Sequence, residues 1–159
     1  MSDTIPTGEV TLRALLDAGE QRLAVLLDRS QRLMAERDPE TLLRLVTSAA
    51  VDIAQTRVCG VGITDATGGF ERLVLSDDAT AAEVERLFAP RADHPARRAI
   101  ESRGVVLDGS CLFVPIASPS HVYGCLALVD KIGAPEFSDV DAQLAATFGA
   151  QAGIVYENA

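Results

Sequence analysis

The stretch CLFVPIASPSHVYGCLALV, residues 111–129, decides the fold because it holds two apolar runs around a polar turn. Residues 111–116 and 121–129 have the length and apolar content of strands. The intervening ASPS, residues 117–120, supplies turn residues. Strands joined by so short a connection pair antiparallel. The stretch therefore predicts a β-hairpin.

Further strands are predicted upstream, again next to one another. Residues 58–63, VCGVGI, predict a strand, DATGG at 65–69 a turn, and residues 70–75 the partner strand. Residues 105–107 predict a short strand. Strands that come in hairpins rather than alternating with helices indicate an α+β fold. We expect a central, mainly antiparallel sheet of five to six strands.

Helical patterns lie at both ends of the chain. Residues 10–34 place leucines at three- and four-residue spacing, which predicts a long amphipathic helix. Asp38 and Pro39 are a good N-cap and first helical residue, so a second helix begins there. Ser138 is the N-cap of a last helix that runs to the chain end. We expect the N- and C-terminal helices to pack on one face of the sheet.

Two short helices are predicted in the middle of the chain. Thr80 and Glu83 have the spacing of a capping box, which opens the first. The second begins around His94 and Pro95 and ends near Gly104, a residue suited to a helix C-terminus. We expect these helices and their loops to cover the other face of the sheet.

Composition limits the classes of partner. The chain has 159 residues, 48% of them hydrophobic, which suits one domain with a full core. Its 14 Lys and Arg are outnumbered by 23 Asp and Glu, for a formal net charge of −9. Phosphate backbones and anionic membrane surfaces attract clustered basic residues, so neither nucleic acid nor a membrane is expected as a partner.

The cellular location of the protein is predicted from its N-terminal sequence, its apolar runs and its cysteines. The N-terminus has neither a basic start nor an apolar run, and no stretch approaches the roughly 18–20 apolar residues of a membrane span. The three cysteines, Cys59, Cys111 and Cys125, are odd in number and lie in apolar stretches. This usage predicts reduced, buried thiols in a cytoplasmic protein.

The first helix is the candidate for self-association. Its stripe needs burial because an isolated helix of this length is marginal. The stripe could pack on the chain's own sheet, form a dimer interface, or do both, and we favour both. We therefore divide the chain into residues 1–36, a tail and dimerisation helix, and residues 37–159, the domain. The seam consists of Leu12, Leu16, Leu23, Leu26 and Leu33.

Three parts of the chain, taken in order, match the pattern of a known family: 39–43 with 59–63, 112–116 with 123–128, and 137–141 with 148–152 and 157–159. In these parts the chain resembles the GAF family, small-ligand-sensing domains of bacterial kinases, cyclases and transcription regulators. The resemblance covers about residues 37–159 and implies a GAF-like sheet with helices as described above, in a non-catalytic sensory domain of signal transduction. The amphipathic first helix and a last helix without an evident stop predict a homodimer paired through these terminal helices, and an output or partner protein is also expected.

A motif of some family members is partly changed. Asp130-Lys131, Phe137 and Asp141-Ala142 stand where those members have Asn-Lys, Phe and Asp-Glu. In cyclic-nucleotide-binding members this pattern accompanies nucleotide binding, so the changes make a cyclic nucleotide less expected. A simpler interpretation is that Asp130 and Lys131 form an ion pair at a strand end.

The residues nominated to bind a small ligand are His94, Arg97, Cys111 and Phe113. Only residues 105–110 separate Gly104 from the next strand, where ligand-binding relatives have a longer lid. The short lid favours the alternative that the domain is an unliganded scaffold for dimerisation or partner docking. The identity of any ligand or cofactor stays open.

Catalysis and metal binding are not predicted. A branch of the family reduces free methionine sulfoxide with several cysteines, which requires an exposed thiolate and a resolving partner. Cys111 is the one thiol placed to face a pocket, so this enzyme is the less favoured alternative. His94 and His121 are the only candidate haem ligands, and neither immediately precedes residues 112–116, where the resemblance implies the ligand.

Overall fold

The computed structural model describes residues 7–67, 69–76, 80–88 and 93–159. The first six residues of the predicted tail lie outside the described residues, as do the side chains of Leu12 and Leu16 in the predicted seam.

Five helices and five strands follow one another in the described part of the chain. In order they are α1 (Thr7–Ala35), α2 (Pro39–Ala54), β1 (Thr56–Thr64), β2 (Phe70–Leu75), α3 (Ala81–Leu87), α4 (Pro95–Ser102), β3 (Val106–Asp108), β4 (Cys111–Ala117), β5 (Val122–Lys131) and α5 (Asp139–Asn158).

The five strands form one antiparallel sheet in the order β2-β1-β5-β4-β3. The predicted α+β fold is therefore confirmed. The hairpin of residues 111–129 makes the β4–β5 pair, and β1 joins it on the far side of β5. Strand β5 continues to Lys131, two residues past the predicted end, because Thr56 of β1 still pairs with it there.

The three central strands, β1, β4 and β5, are buried on both faces of the sheet, which explains why they are continuous apolar runs rather than alternating ones. We call the side covered by α1, α2 and α5 the helix face. It includes Cys59, Val61, Leu126 and Leu128. We call the opposite side, which packs with α3 and α4, the site face, and it includes Cys111, Phe113, Cys125, Ala127 and Val129.

Small residues bring α5 unusually close to β4. A Cβ added at Gly153 would lie 2.3 Å from the backbone of Ala117, and one at Gly149 would lie 2.7 Å from the Pro115 carbonyl oxygen. Helix α1 lies beside α5 and runs parallel to it. Two contacts show the direction: Arg22 pairs with Asp141 near the start of α5, and Ser30, later in α1, forms a hydrogen bond with Gln151, later in α5.

The predicted seam on α1 is split between two directions. Leu26 and Leu33 are buried in the core of the helix face. Leu23 is 50% exposed, and its neighbours on the outer side, Leu27 and Met34, are 56% and 65% exposed. The stripe is wide enough to pack on its own domain and leave an apolar strip outside.

Local capping follows the predictions closely. The Asp38 carboxylate accepts the Thr41 N–H at 3.0 Å, and Ser138 and Asp141 form a reciprocal capping box. Helix α4 ends at Ser102, and Arg103 rather than the predicted Gly104 takes the left-handed conformation, at φ 55°. Among the described helices, none combines the length and apolar character that crossing a membrane requires.

Candidate ligand-binding site

His94 lies buried between α3 and α4 with both ring nitrogens in use. It is the N-cap of α4, where Nδ1 accepts the Ala96 N–H at 3.1 Å. Because Nδ1 is an acceptor, Nε2 carries the proton and donates to the Arg86 carbonyl oxygen at 2.7 Å. The ring therefore joins the end of α3 to the start of α4.

Phe113 and Cys111 lie on the site face of β4, two residues apart. The Phe113 ring meets the His94 ring nearly edge to face, with centroids 5.7 Å apart at 87°. Arg86 Nη2 donates a hydrogen bond to the Cys111 sulfur at 3.3 Å and another to the Ser110 hydroxyl oxygen at 3.3 Å. The structure thus brings three of the four nominated residues into one layer. Arg97, the fourth, lies half-buried on α4.

Aromatic side chains fill the site face above two glycines of β1. The Phe88 ring packs so closely that a Cβ at Gly60 would lie 2.9 Å from it, and a Cβ at Gly62 would lie 2.8 Å from it. Phe70 of β2 meets Phe88 edge to face at 5.2 Å. Sequence reasoning did not place Phe88 or these glycines in the site. The available signal was the Gly-x-Gly spacing, since alternate residues share one face of a strand.

Two clefts in the described part of the chain lie away from this layer. A groove of about 550 Å3 runs between α2 and β2, lined by Arg44, Ser48, Arg57 and Ser76 among others. A smaller apolar groove of about 280 Å3 lies at the ends of α1 and α5, beside Met34 and Ile154.

None of the three thiols has the features of a nucleophile. Cys59, Cys111 and Cys125 are free and buried. Burial raises the pKa of Cys59, and it raises the pKa of Cys125 to about 12. The pKa of Cys111 is also raised by burial, although nearby Arg86 opposes the effect. A thiolate is the reactive form, so all three are poorly reactive near neutral pH.

The prediction that Asp130 and Lys131 form an ion pair with each other is wrong. Asp130 pairs with Arg57 at 2.9 Å, and Lys131 pairs with Asp141 at 2.9 Å. The two neighbours diverge because Asp130 has a left-handed backbone, at φ 61°. Asparagine and aspartate tolerate that conformation best among residues with a side chain, which explains either residue here.

The comparisons agree with this architecture. The family model described as GAF domain matches residues 38–156. The chain belongs to the GAF family. Structural neighbours include GAF domains of bacterial signalling proteins, whereas the search of curated proteins found no match.

Three solved structures illustrate the range of proteins that share this GAF fold. The GAF domain of an Acinetobacter phosphoenolpyruvate-protein phosphotransferase is 17% identical, with 86% of this chain and 93% of that chain covered and a TM-score of 0.68. The second GAF domain of DevS from Mycobacterium smegmatis is 21% identical, with 76% and 94% covered and a TM-score of 0.62. A free methionine-R-sulfoxide reductase from Neisseria meningitidis, in complex with its substrate, is 14% identical, with 89% and 91% covered and a TM-score of 0.68. At these identities the likeness establishes the GAF fold only.

Proposed function

We propose that this GAF domain is a non-catalytic regulatory unit of a cytoplasmic signalling protein, assembled as a homodimer through α1 and α5. The site face would hold its small ligand. The observation that carries the proposal is an apolar strip on the outside of the two terminal helices. Nine large hydrophobic side chains are exposed among the described residues, and five of them lie on α1 and α5: Leu23, Leu27, Met34, Val140 and Ile154.

The strip is suited to a second copy of the chain. Helices α1 and α5 are parallel neighbours, so a two-fold partner that presents the same pair would complete a four-helix bundle. Apolar residues exposed on neighbouring helices favour association. Upstream of Arg22, α1 continues to Thr7 and carries Leu12, Leu15 and Leu16 in its sequence, a length of helix that would gain stability from a partner.

Native mass spectrometry with two double variants tests the assembly. We expect the wild type to be a dimer and Leu23→Glu/Leu27→Glu to be a monomer, because two carboxylates would be buried in the interface. Leu73→Glu/Leu107→Glu is the matched control, since both leucines are exposed but lie on β2 and β3. Leu26 is unsuitable for this test because it is buried within the domain.

A monomeric wild type would contradict the assembly. A dimer that survives the Leu23→Glu/Leu27→Glu change would place the interface elsewhere. Loss of the dimer in the control variant as well would show that the added charge, rather than the strip, is responsible.

Ligand binding is proposed at the layer of His94, Arg97, Cys111 and Phe113. Phe88 belongs to the same apolar cluster as Cys111 and Phe113 and packs on Gly60 and Gly62, so a ligand inserted over these glycines would displace its ring. The same native spectra test this part. Extra non-covalent mass on freshly purified protein would support a bound ligand.

The close packing of Phe88 favours a second candidate function, a scaffold that dimerises or docks a partner without any ligand. A clean apo dimer would support that function over the sensor. A sulfoxide reductase activity is not favoured, because the three buried thiols with raised pKa values lack the exposed thiolate that such chemistry requires.

A further inference from the structure

Charged side chains cross one end of the sheet and connect the two layers of the fold. Each member contacts the next, except for one step through the peptide bond between residues 130 and 131. We call this set the polar chain. From the site face to the helix face it consists of Glu83, Arg57, Asp130, Lys131, Asp141 and Arg22.

The first half of the polar chain ties α3 to the sheet. Arg57 of β1 donates to Glu83 through Nη2 at 2.7 Å. The same guanidinium donates to Asp130 at the end of β5, with Nε at 3.0 Å. Glu83 also bonds the Thr80 N–H at 3.3 Å as part of its capping box. A displacement of α3 therefore alters the hydrogen bonds that the Arg57 guanidinium makes with Glu83 and with Asp130.

The left-handed Asp130 carries the polar chain from one face to the other. Val129 lies on the site face, and in a regular strand Lys131 would point to the same side. The turn at Asp130 instead directs the Lys131 ammonium to the helix face, where it bonds the Ala54 carbonyl oxygen at 3.0 Å. A shift at the end of β5 therefore moves the Lys131 ammonium group and changes its contacts with the helices.

The second half of the polar chain joins α1 to α5. The Asp141 carboxylate is 1% exposed and accepts both Lys131 at 2.9 Å and Arg22 at 2.6 Å. Lys131 also bonds oxygens of Ala54 and Gln55 and keeps Asp141 compensated on its own. Arg22 is 15% exposed, donates through Nη2 to the Ile53 carbonyl oxygen at 3.1 Å, and leaves its Nε without a partner. Arg22 can therefore leave for water without leaving an unpaired buried carboxylate, which makes α1 the releasable element.

We propose that the polar chain couples the position of α3 to the docking of α1 on α5. Loss of the Glu83–Arg57 contact shifts the end of β5, weakens the Arg22–Asp141 contact and loosens α1. The inference rests on the proposed function, since it supplies the route from the site face to the dimerisation helix. It differs from a general stability effect because the loosening is confined to α1.

Hydrogen–deuterium exchange measured by mass spectrometry tests the coupling. Glu83→Gln is expected to speed exchange of residues 19–27 in α1 about two- to fivefold, the range that an exposed ion pair can supply. Arg57→Met cuts the same link and is expected to do the same. Glu40→Gln is the matched control, because it breaks an exposed ion pair with Arg44 outside the polar chain. Exchange of α1 in that variant is expected to equal the wild type.

A double variant tests the route. In an Asp130→Asn background, which keeps a residue that tolerates the left-handed backbone, adding Glu83→Gln is expected to leave α1 exchange unchanged. The coupling is overturned if Glu83→Gln speeds exchange in α3 alone, or if it speeds exchange equally across all strands and helices. The mass of each sample is recorded alongside. A monomeric wild type would contradict the proposed assembly while leaving this test valid, because the polar chain lies within one protein molecule.

Discussion

Replacing Asp141 with asparagine would remove the charge of the most buried carboxylate among the described residues and keep the size of the side chain. The asparagine oxygen can still accept the Ser138 N–H, which the aspartate accepts at 2.8 Å, so the cap of α5 is retained. The substitution removes the negative charge that compensates the Lys131 and Arg22 cations. Lys131 is held among carbonyl oxygens and stays buried, whereas Arg22 lies closer to water.

The expected loss follows from that asymmetry. Removing one partner of a buried ion pair typically costs 3–5 kcal/mol, and since Arg22 can rehydrate we expect about 3 kcal/mol for Asp141→Asn. Urea unfolding at pH 7, followed by circular dichroism, measures it from the midpoint at constant slope. Asp139→Asn is the control, an exposed acid in the same helical turn, and should cost about 0.5 kcal/mol through the helix dipole. A loss below about 1 kcal/mol for Asp141→Asn would refute the reasoning.

The pH dependence provides an independent check on the same residue. Burial acts to raise the pKa of Asp141, but hydrogen bonds from the Ser138 N–H, Lys131 and Arg22 outweigh it and hold the pKa below its ordinary value. A carboxyl with a depressed folded-state pKa stabilises the fold fully above the unfolded pKa of about 3.9, and this contribution disappears as pH falls through the folded-state pKa. The stability difference between wild type and Asp141→Asn should therefore be constant from about pH 6 to 8 and shrink in acid.

Three further predictions concern the backbone and the thiols. Asp130→Ala should cost about 1 kcal/mol in urea unfolding because Asp130 is left-handed, whereas Asp130→Gly should come closer to wild type; equal losses would contradict this explanation. Gly124→Ala should cost more than about 3 kcal/mol, because its Cβ would lie 2.0 Å from the Gly62 carbonyl oxygen. Gly19→Ala, with open space around it on α1, should instead stabilise by up to about 1 kcal/mol, and the opposite order in thermal denaturation would overturn the packing described here. A chromogenic disulfide reagent at pH 8 should react with the native thiols only slowly and with all three in urea, and a rapidly reacting native thiol would show that burial does not protect it.

Interactions within a few residues were predictable from the sequence alone. The caps at Asp38 and Ser138 and the capping box at Thr80 are formed by side chains that reach backbone groups three positions away, so the residue types and spacing decide them. The strands followed from apolar runs and turn residues for the same reason. These local signals, in this order, also predicted the α+β fold.

Tertiary structure decided which neighbour each side chain meets. Leu26 and Leu27 are adjacent apolar residues in the sequence, yet the packing of α1 on α2 and α5 buries the first and exposes the second. Lys131 pairs with Asp141 rather than with Asp130, because the left-handed residue turns it to the other face. The filling of the site face by Phe88 likewise depends on how α3 returns over β1. Contacts between residues far apart in the chain arise only when the layers come together, since composition and periodicity specify a face but not its partner.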